Sequence, residues 1–252
     1  MTPVLLPGNM CDARLWCGGE EGPGGEGGRE GGDAAMAAML GLHASSPVDA
    51  DLSRDDSITA MAARTLAAVP GRLLPIGFSM GAIVAVEMWC QAPERIAGLI
   101  LIGYNATADL PDRAAHRPAQ QAEVRAGGLE RVLVEELKPN YLAARNRGDT
   151  ALLGLLRDMG MGLGPDVFTR QSEALRRRAD RRDVLPNIAV PVLIGCGGED
   201  TLCPPSWHAD WAGRIADTEL FTVAGAGHML PLEDPAALAG HIDRWLIAKD
   251  LA

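Results

Sequence analysis

Apolar residues along the chain fall into short unbroken blocks, separated by longer stretches where they recur at helical spacing. The blocks are Met1–Pro7 (around PVLLP), Arg72–Phe78, Gly98–Gly103 and Val190–Cys196, and strand texture returns at Thr218–Val223. An apolar run of four to eight residues between turn formers predicts a strand with both faces covered. PVDADL (47–52) predicts at best a weak strand. Pro75 lacks a ladder donor, so it is expected near a strand start or at an irregularity. Helices are predicted at Ala34–Leu42 behind Asp33, at Ile58–Val69 behind Asp56 or Ser57, at Met80–Gln91 ahead of Pro93, and from about Pro235 to Ala248.

Between Pro111 and Asp183 the pattern changes. Arg and Ala dominate and strand blocks are absent, with the clearest helical periodicity at Leu129–Leu137, Thr150–Met159 and Pro165–Arg178. Strands alternating with helices predict an α/β fold, a parallel sheet flanked by helices. The expected organisation is a core of residues 1–109 and 184–252, with an all-helical cap, 110–183, inserted after the third clear strand. Residues 17–46 stand apart: of the fifteen from Gly18 to Gly32, nine are Gly and four are Glu. With nothing apolar to bury and a high ordering cost, that stretch is expected to be flexible.

Composition narrows the function. The 252 residues are 47% hydrophobic, enough for one sizeable core. A net charge of −10 without a basic tract repels phosphate backbones, so nucleic acid is not expected as a partner. No apolar run suits a membrane span and no signal peptide is evident. Five cysteines without metal-ligand spacing fit a reducing cytoplasm better than a disulfide framework. Cys11 and Cys203 read as small buried apolar side chains. The expected partner is a small molecule; the oligomeric state is open.

The candidate chemistry starts at Gly77-Phe78-Ser79-Met80-Gly81, between a predicted strand and a predicted helix. A serine on such a sharp turn is pushed clear of the sheet, and the small flanking residues let the turn close. A hydroxyl is a poor nucleophile at neutral pH. It needs a base within hydrogen-bond reach and a third group to orient the base. Asp200, with Glu199 beside it, follows the strand VPVLIGC, and His228 follows the strand TELFTV. Ser, then Asp, then His, each just past a strand end, is the order this motif requires.

With LLPGNM at 5–10, GCGGEDTLCPP at 195–205 and GAGHMLPLEDP at 225–235, the chain resembles the α/β-hydrolase superfamily, in a compact form with a helical cap. The resemblance implies Ser79 as nucleophile, His228 as base and Asp200 as acid, preferred over Glu199. It implies an oxyanion hole from the backbone N–H groups of Asn9 and Met80. It implies carboxylic ester cleavage through an acyl-enzyme, with neither metal nor organic cofactor. Lactone, thioester, amide and carbon–carbon hydrolysis are alternatives on the same residues, and a catalytically silent binding protein is the non-enzyme alternative. The oxyanion strand comes almost at residue 1, so about six parallel strands are expected, with weak PVDADL at the sheet edge. Ala82 stands where relatives carry a second Gly. Glu233 is expected to cap the last helix. His43, His116, His208 and His241 are expected to be structural or exposed. Arg176, Arg177 and Arg178 read as a solvated face, from which one Arg could meet a substrate carboxylate. From the cap, Tyr141, Met159 and Phe168 are expected to bind substrate, with Leu137 and Leu156 beside them. Few polar anchors are evident there, so a small to medium apolar substrate is expected.

Overall fold

The computed structural model describes residues 1–16, 47–137 and 141–251. The Gly/Glu-rich stretch and the helix expected at 34–42 lie outside them. Six strands, β1 (Thr2–Leu6), β2 (Val48–Asp49), β3 (Leu73–Phe78), β4 (Leu99–Ile102), β5 (Val192–Gly197) and β6 (Thr218–Val223), form one parallel sheet in the order β2-β1-β3-β4-β5-β6. This is the α/β-hydrolase fold class expected, with six strands.

The unbroken apolar blocks follow from coverage on both faces. Successive strand residues point to opposite sides. Val4, Leu6, Leu73, Leu99, Leu101 and Ile194 enter one core with helices α1 (Ile58–Ala68) and α2 (Met80–Gln91). Leu5, Leu74, Ile76, Ile100, Ile102 and Leu193 enter the other with Trp16 and Trp245, the latter from the C-terminal helix Pro235–Ala248. The edges relax this demand. β2 pairs only through Val48 and Asp49, both exposed, which is why PVDADL suffices there. Pro75 sits inside β3, at an irregularity. Between the Leu73–Ile96 bridge and the Ile76–Ile100 pair, β3 advances three residues and the segment leading into β4 four, so the ladder is already broken where the donor is missing.

Between β4 and β5 the described residues carry helices and no strand. α3 (Pro111–Glu123) leads into wide π-type turns at Val124–Gly128 and Val132–Leu137, separated by one α-helical turn, Leu129–Arg131. α4 (Thr150–Arg176), capped by the Asp149 side chain, covers both helices expected there; Gly164, at φ 83°, breaks it just before Pro165. Val124, Leu129, Val132, Leu133, Val167 and Phe168 form a third core that reaches Met10 in the loop after β1. Among the described residues no helix is long and apolar enough to cross a membrane.

Candidate active site

The site forms where β3 turns into α2. Ser79 has φ 54° and ψ −111°, a conformation that L side chains avoid and that marks functional turns. It holds because neighbouring backbone packs tightly against it. A Cβ on Gly81 would lie 1.9 Å from the Leu6 carbonyl oxygen, and one on Gly77 2.5 Å from Ala82. Only glycine lets strand, turn and helix approach so closely. Ala82 is fully buried.

Ser79 Oγ lies 3.0 Å from His228 Nε2, and His228 Nδ1 lies 2.8 Å from Asp200 Oδ2. A carboxylate beside Nδ1 fixes the tautomer: Nδ1–H donates to Asp200, and Nε2 is left to accept from Ser79. Burial pushes the Asp200 carboxyl up, but attraction to His228, their hydrogen bond and the Cys203 N–H together hold it below the ordinary carboxylate range. Asp200 Oδ1 accepts from the backbone N–H groups of Leu202 and Cys203. Both carboxylate oxygens are therefore committed.

The neighbouring acidic residues have other tasks. Glu199 accepts from the Ala144 N–H at 2.8 Å, away from His228. Glu233 does not cap the last helix; the Asp234 side chain does, accepting from the Ala237 N–H. Glu233 instead accepts from the N–H groups of Gly227 and Ala143 and from the Asn146 side chain, clamping the histidine loop to the segment that carries Tyr141. The rings of Phe78 and Tyr141 flank the imidazole, with centroids 5.1 and 5.9 Å away.

The backbone N–H groups of Asn9 and Met80 have no acceptor among the described residues, and both residues line the cavity over Ser79. Gln171 on α4 was not foreseen. It is 1% exposed, accepts from the Met10 N–H at 2.8 Å and donates to the Leu52 carbonyl, fastening the Asn9 loop from behind. Asp200, Cys203 and His228 also bring ligand-type atoms within 4.8 Å of one another. The trio suits a metal poorly: both Asp200 oxygens are engaged, and burial pushes the Cys203 thiol far up, keeping it protonated.

A cavity of about 500 Å³ opens over these residues. Tyr141 and Leu137 line it, as expected. Met159, Phe168 and Leu156 do not. Met159 and Leu156 pack with Phe78 and Trp16 in the second core, and Phe168 packs with Met10 in the third. The far wall is not apolar either: Arg113, His116, Arg117, Gln120, Glu136 and Arg178 line it. His116, expected to be structural or exposed, is both exposed and part of this wall. Arg178 is buried against Asp109, whereas Arg176 and Arg177 stay outside and pair with Glu173. The missed signal was spacing. Residues 113, 116, 117 and 120 are i, i+3, i+4 and i+7 on α3, one helix face written in polar residues.

Comparison with known proteins agrees with this fold. The sequence profile of the alpha/beta hydrolase family matches residues 10–241, and the chain belongs to that family. Among curated relatives, a pimeloyl-acyl-carrier-protein methyl ester esterase of Neisseria meningitidis is 26% identical over 76% of this chain and 75% of its own length. The biotin biosynthesis bifunctional protein BioHC of Cellvibrio japonicus is 22% identical over 72% of this chain; the match spans only 37% of that longer protein. A thermophilic esterase from Thermogutta terrifontis superposes with a TM-score of 0.80 at 23% identity, over 99% of this chain and 90% of that one. The chain is an α/β-hydrolase-fold enzyme.

Proposed function

We propose that this enzyme cleaves carboxylic esters of small molecules through a covalent acyl-enzyme on Ser79. One observation carries the reading: the hydrogen-bonded series Ser79–His228–Asp200 stands at a cavity, lined also by Asn9 and Met80, whose backbone N–H groups have no acceptor among the described residues. As Ser79 Oγ attacks the ester carbonyl, its proton passes to His228 Nε2. Asp200 holds the tautomer and stabilises the resulting imidazolium. The Asn9 and Met80 N–H groups meet the oxyanion of the tetrahedral intermediate. Its collapse breaks the C–O bond, and His228 returns the proton to the departing alkoxide. Water then attacks the acyl-enzyme as His228 takes its proton. The acid leaves and Ser79 regains its hydrogen.

Esterase names among the relatives support the choice of bond, although one fold hosts many reactions. A panel of p-nitrophenyl esters, with lactones and thioesters alongside, tests the reading. Turnover of the esters that disappears in Ser79→Ala is expected. Turnover confined to lactones or thioesters would reassign the bond, and ester turnover that survives Ser79→Ala would overturn the mechanism.

A further inference from the structure

We infer that the ester cleaved here carries a carboxylate remote from the scissile bond, and that Arg113 receives it. This substrate class rests on the esterase reading above.

The far wall of the cavity is cationic in a chain whose net charge is −10. Arg117 Nε lies 2.6 Å from Asp109 and Arg178 Nη1 lies 2.8 Å from the same carboxylate, so two guanidinium groups share one anion whose side chain is 1% exposed. Glu136, the carboxylate that lines this wall, is already met by Arg131, by the Gln120 amide and by His116. Arg113 is half-buried, lines the cavity together with Ser79 and His228, and has no ion pair or hydrogen bond among the described residues. Tyr141 and Cys203 line the same cavity as Arg113.

An arginine drawn into a pocket without an anion gives up part of its hydration for no partner, which is unfavourable unless a ligand supplies one. Its planar fork matches the two oxygens of a carboxylate. A phosphate dianion fits less well, because the forks of Arg117 and Arg178 are held by Asp109, which leaves Arg113 as the one arginine of this wall without a partner among the described residues.

The test compares monomethyl succinate, glutarate and adipate with the methyl esters of the corresponding monoamides, which match in shape but lack the charge. Methyl phosphonobutyrate supplies the dianion. The readout is the ratio of kcat/KM for the acid to that for the amide. A ratio of about 10- to 100-fold is expected, the range of a hydrogen bond to a charged group. Arg113→Gln should collapse the ratio towards one, and Arg113→Lys should retain part of it. Equal rates for acid and amide, an unchanged ratio in Arg113→Gln, or a preference for the phosphonate would overturn the inference. If none of these esters turns over, protection of Ser79 from phosphonate labelling by the free diacids but not their monoamides supports it, and absence of protection overturns it. Labelling of Ser79 separates the two levels: a labelled serine without charge preference removes this inference and leaves the esterase reading standing.

Discussion

The two walls of the cavity are built by different means. The strand-end wall, Asn9, Ser79, Met80, Gly103 and His228, hangs from the sheet, and its atoms are placed by backbone that cannot move aside. The helix wall, Arg113, His116, Arg117, Gln120 and Arg178, is carried on long side chains. Arg113, His116, Arg117 and Gln120 project from α3, and Arg178 stands just past the end of α4. The first arrangement suits chemistry, where a small displacement is costly. The second suits selection, because long charged side chains can be exchanged without disturbing the sheet.

The largest effect should fall on the strand-end wall. Ser79→Ala is expected to lower kcat on the order of 10⁴–10⁶ while leaving the melting curve close to wild type. Asp200→Asn is expected to cost on the order of 10⁴ through the wrong tautomer. Glu199→Gln, which touches Ala144 and not His228, should cost less than about tenfold, because it loses only one exposed hydrogen bond. If the two acidic substitutions exchanged places in such an assay, the acid would be Glu199.

Stability separates backbone-built from side-chain-built positions. Gly81→Ala must move a backbone carbonyl, so a loss above about 3 kcal/mol in urea unfolding is expected, beyond ordinary overpacking. Phe168→Ala should cost about 3–5 kcal/mol as a cavity mutation. Because Phe168 packs in the third core, it should not change the preferred chain length in an ester series. A shifted preference would place Phe168 back at the substrate.

How much of this was legible in the sequence follows the same division. Strands buried on both faces announce themselves as unbroken apolar blocks, and β1, β3, β4 and β5 were read nearly to the residue. The break in α4 was readable because Gly164-Pro165 interrupts two periodic stretches. α3 was not, because prolines at 111 and 118 and a polar composition hide its period. With α3 went Arg113, Arg117 and Gln120, and so the polar character of that cavity wall. Met159 and Phe168 were misplaced for the opposite reason. Apolar periodicity tells that a residue is buried, not against which surface, and both belong to cores. That Ser79, Asp200 and His228 meet was readable because each sits just past a strand end, where the sheet geometry allows few placements. Gln171 gave no signal: a glutamine within a helix is ordinary until the fold brings it to the Met10 N–H.

The smallest expected effect concerns pH. His208 is fully buried, donates through Nδ1 to the Pro204 carbonyl, and leaves Nε2 without a partner among the described residues. Burial holds its pKa below 6.5. The unfolded chain therefore binds this proton at higher pH than the folded one. The His208 contribution is complete above the unfolded pKa and is lost as pH falls below it, at most roughly 1.4 kcal/mol per pH unit. His208→Asn keeps a donor towards Pro204 and should flatten that part of the stability profile in chemical denaturation. An unchanged slope would show that other groups set it.

The most direct test of the division between the walls is covalent. A small fluorophosphonate should label the folded wild-type protein once, and peptide mass spectrometry should place the adduct on Ser79. The adduct should vanish in Ser79→Ala, form much more slowly in His228→Ala, and persist in Arg113→Gln. An adduct on another residue, or none at all in a folded protein that still hydrolyses esters, would contradict the account.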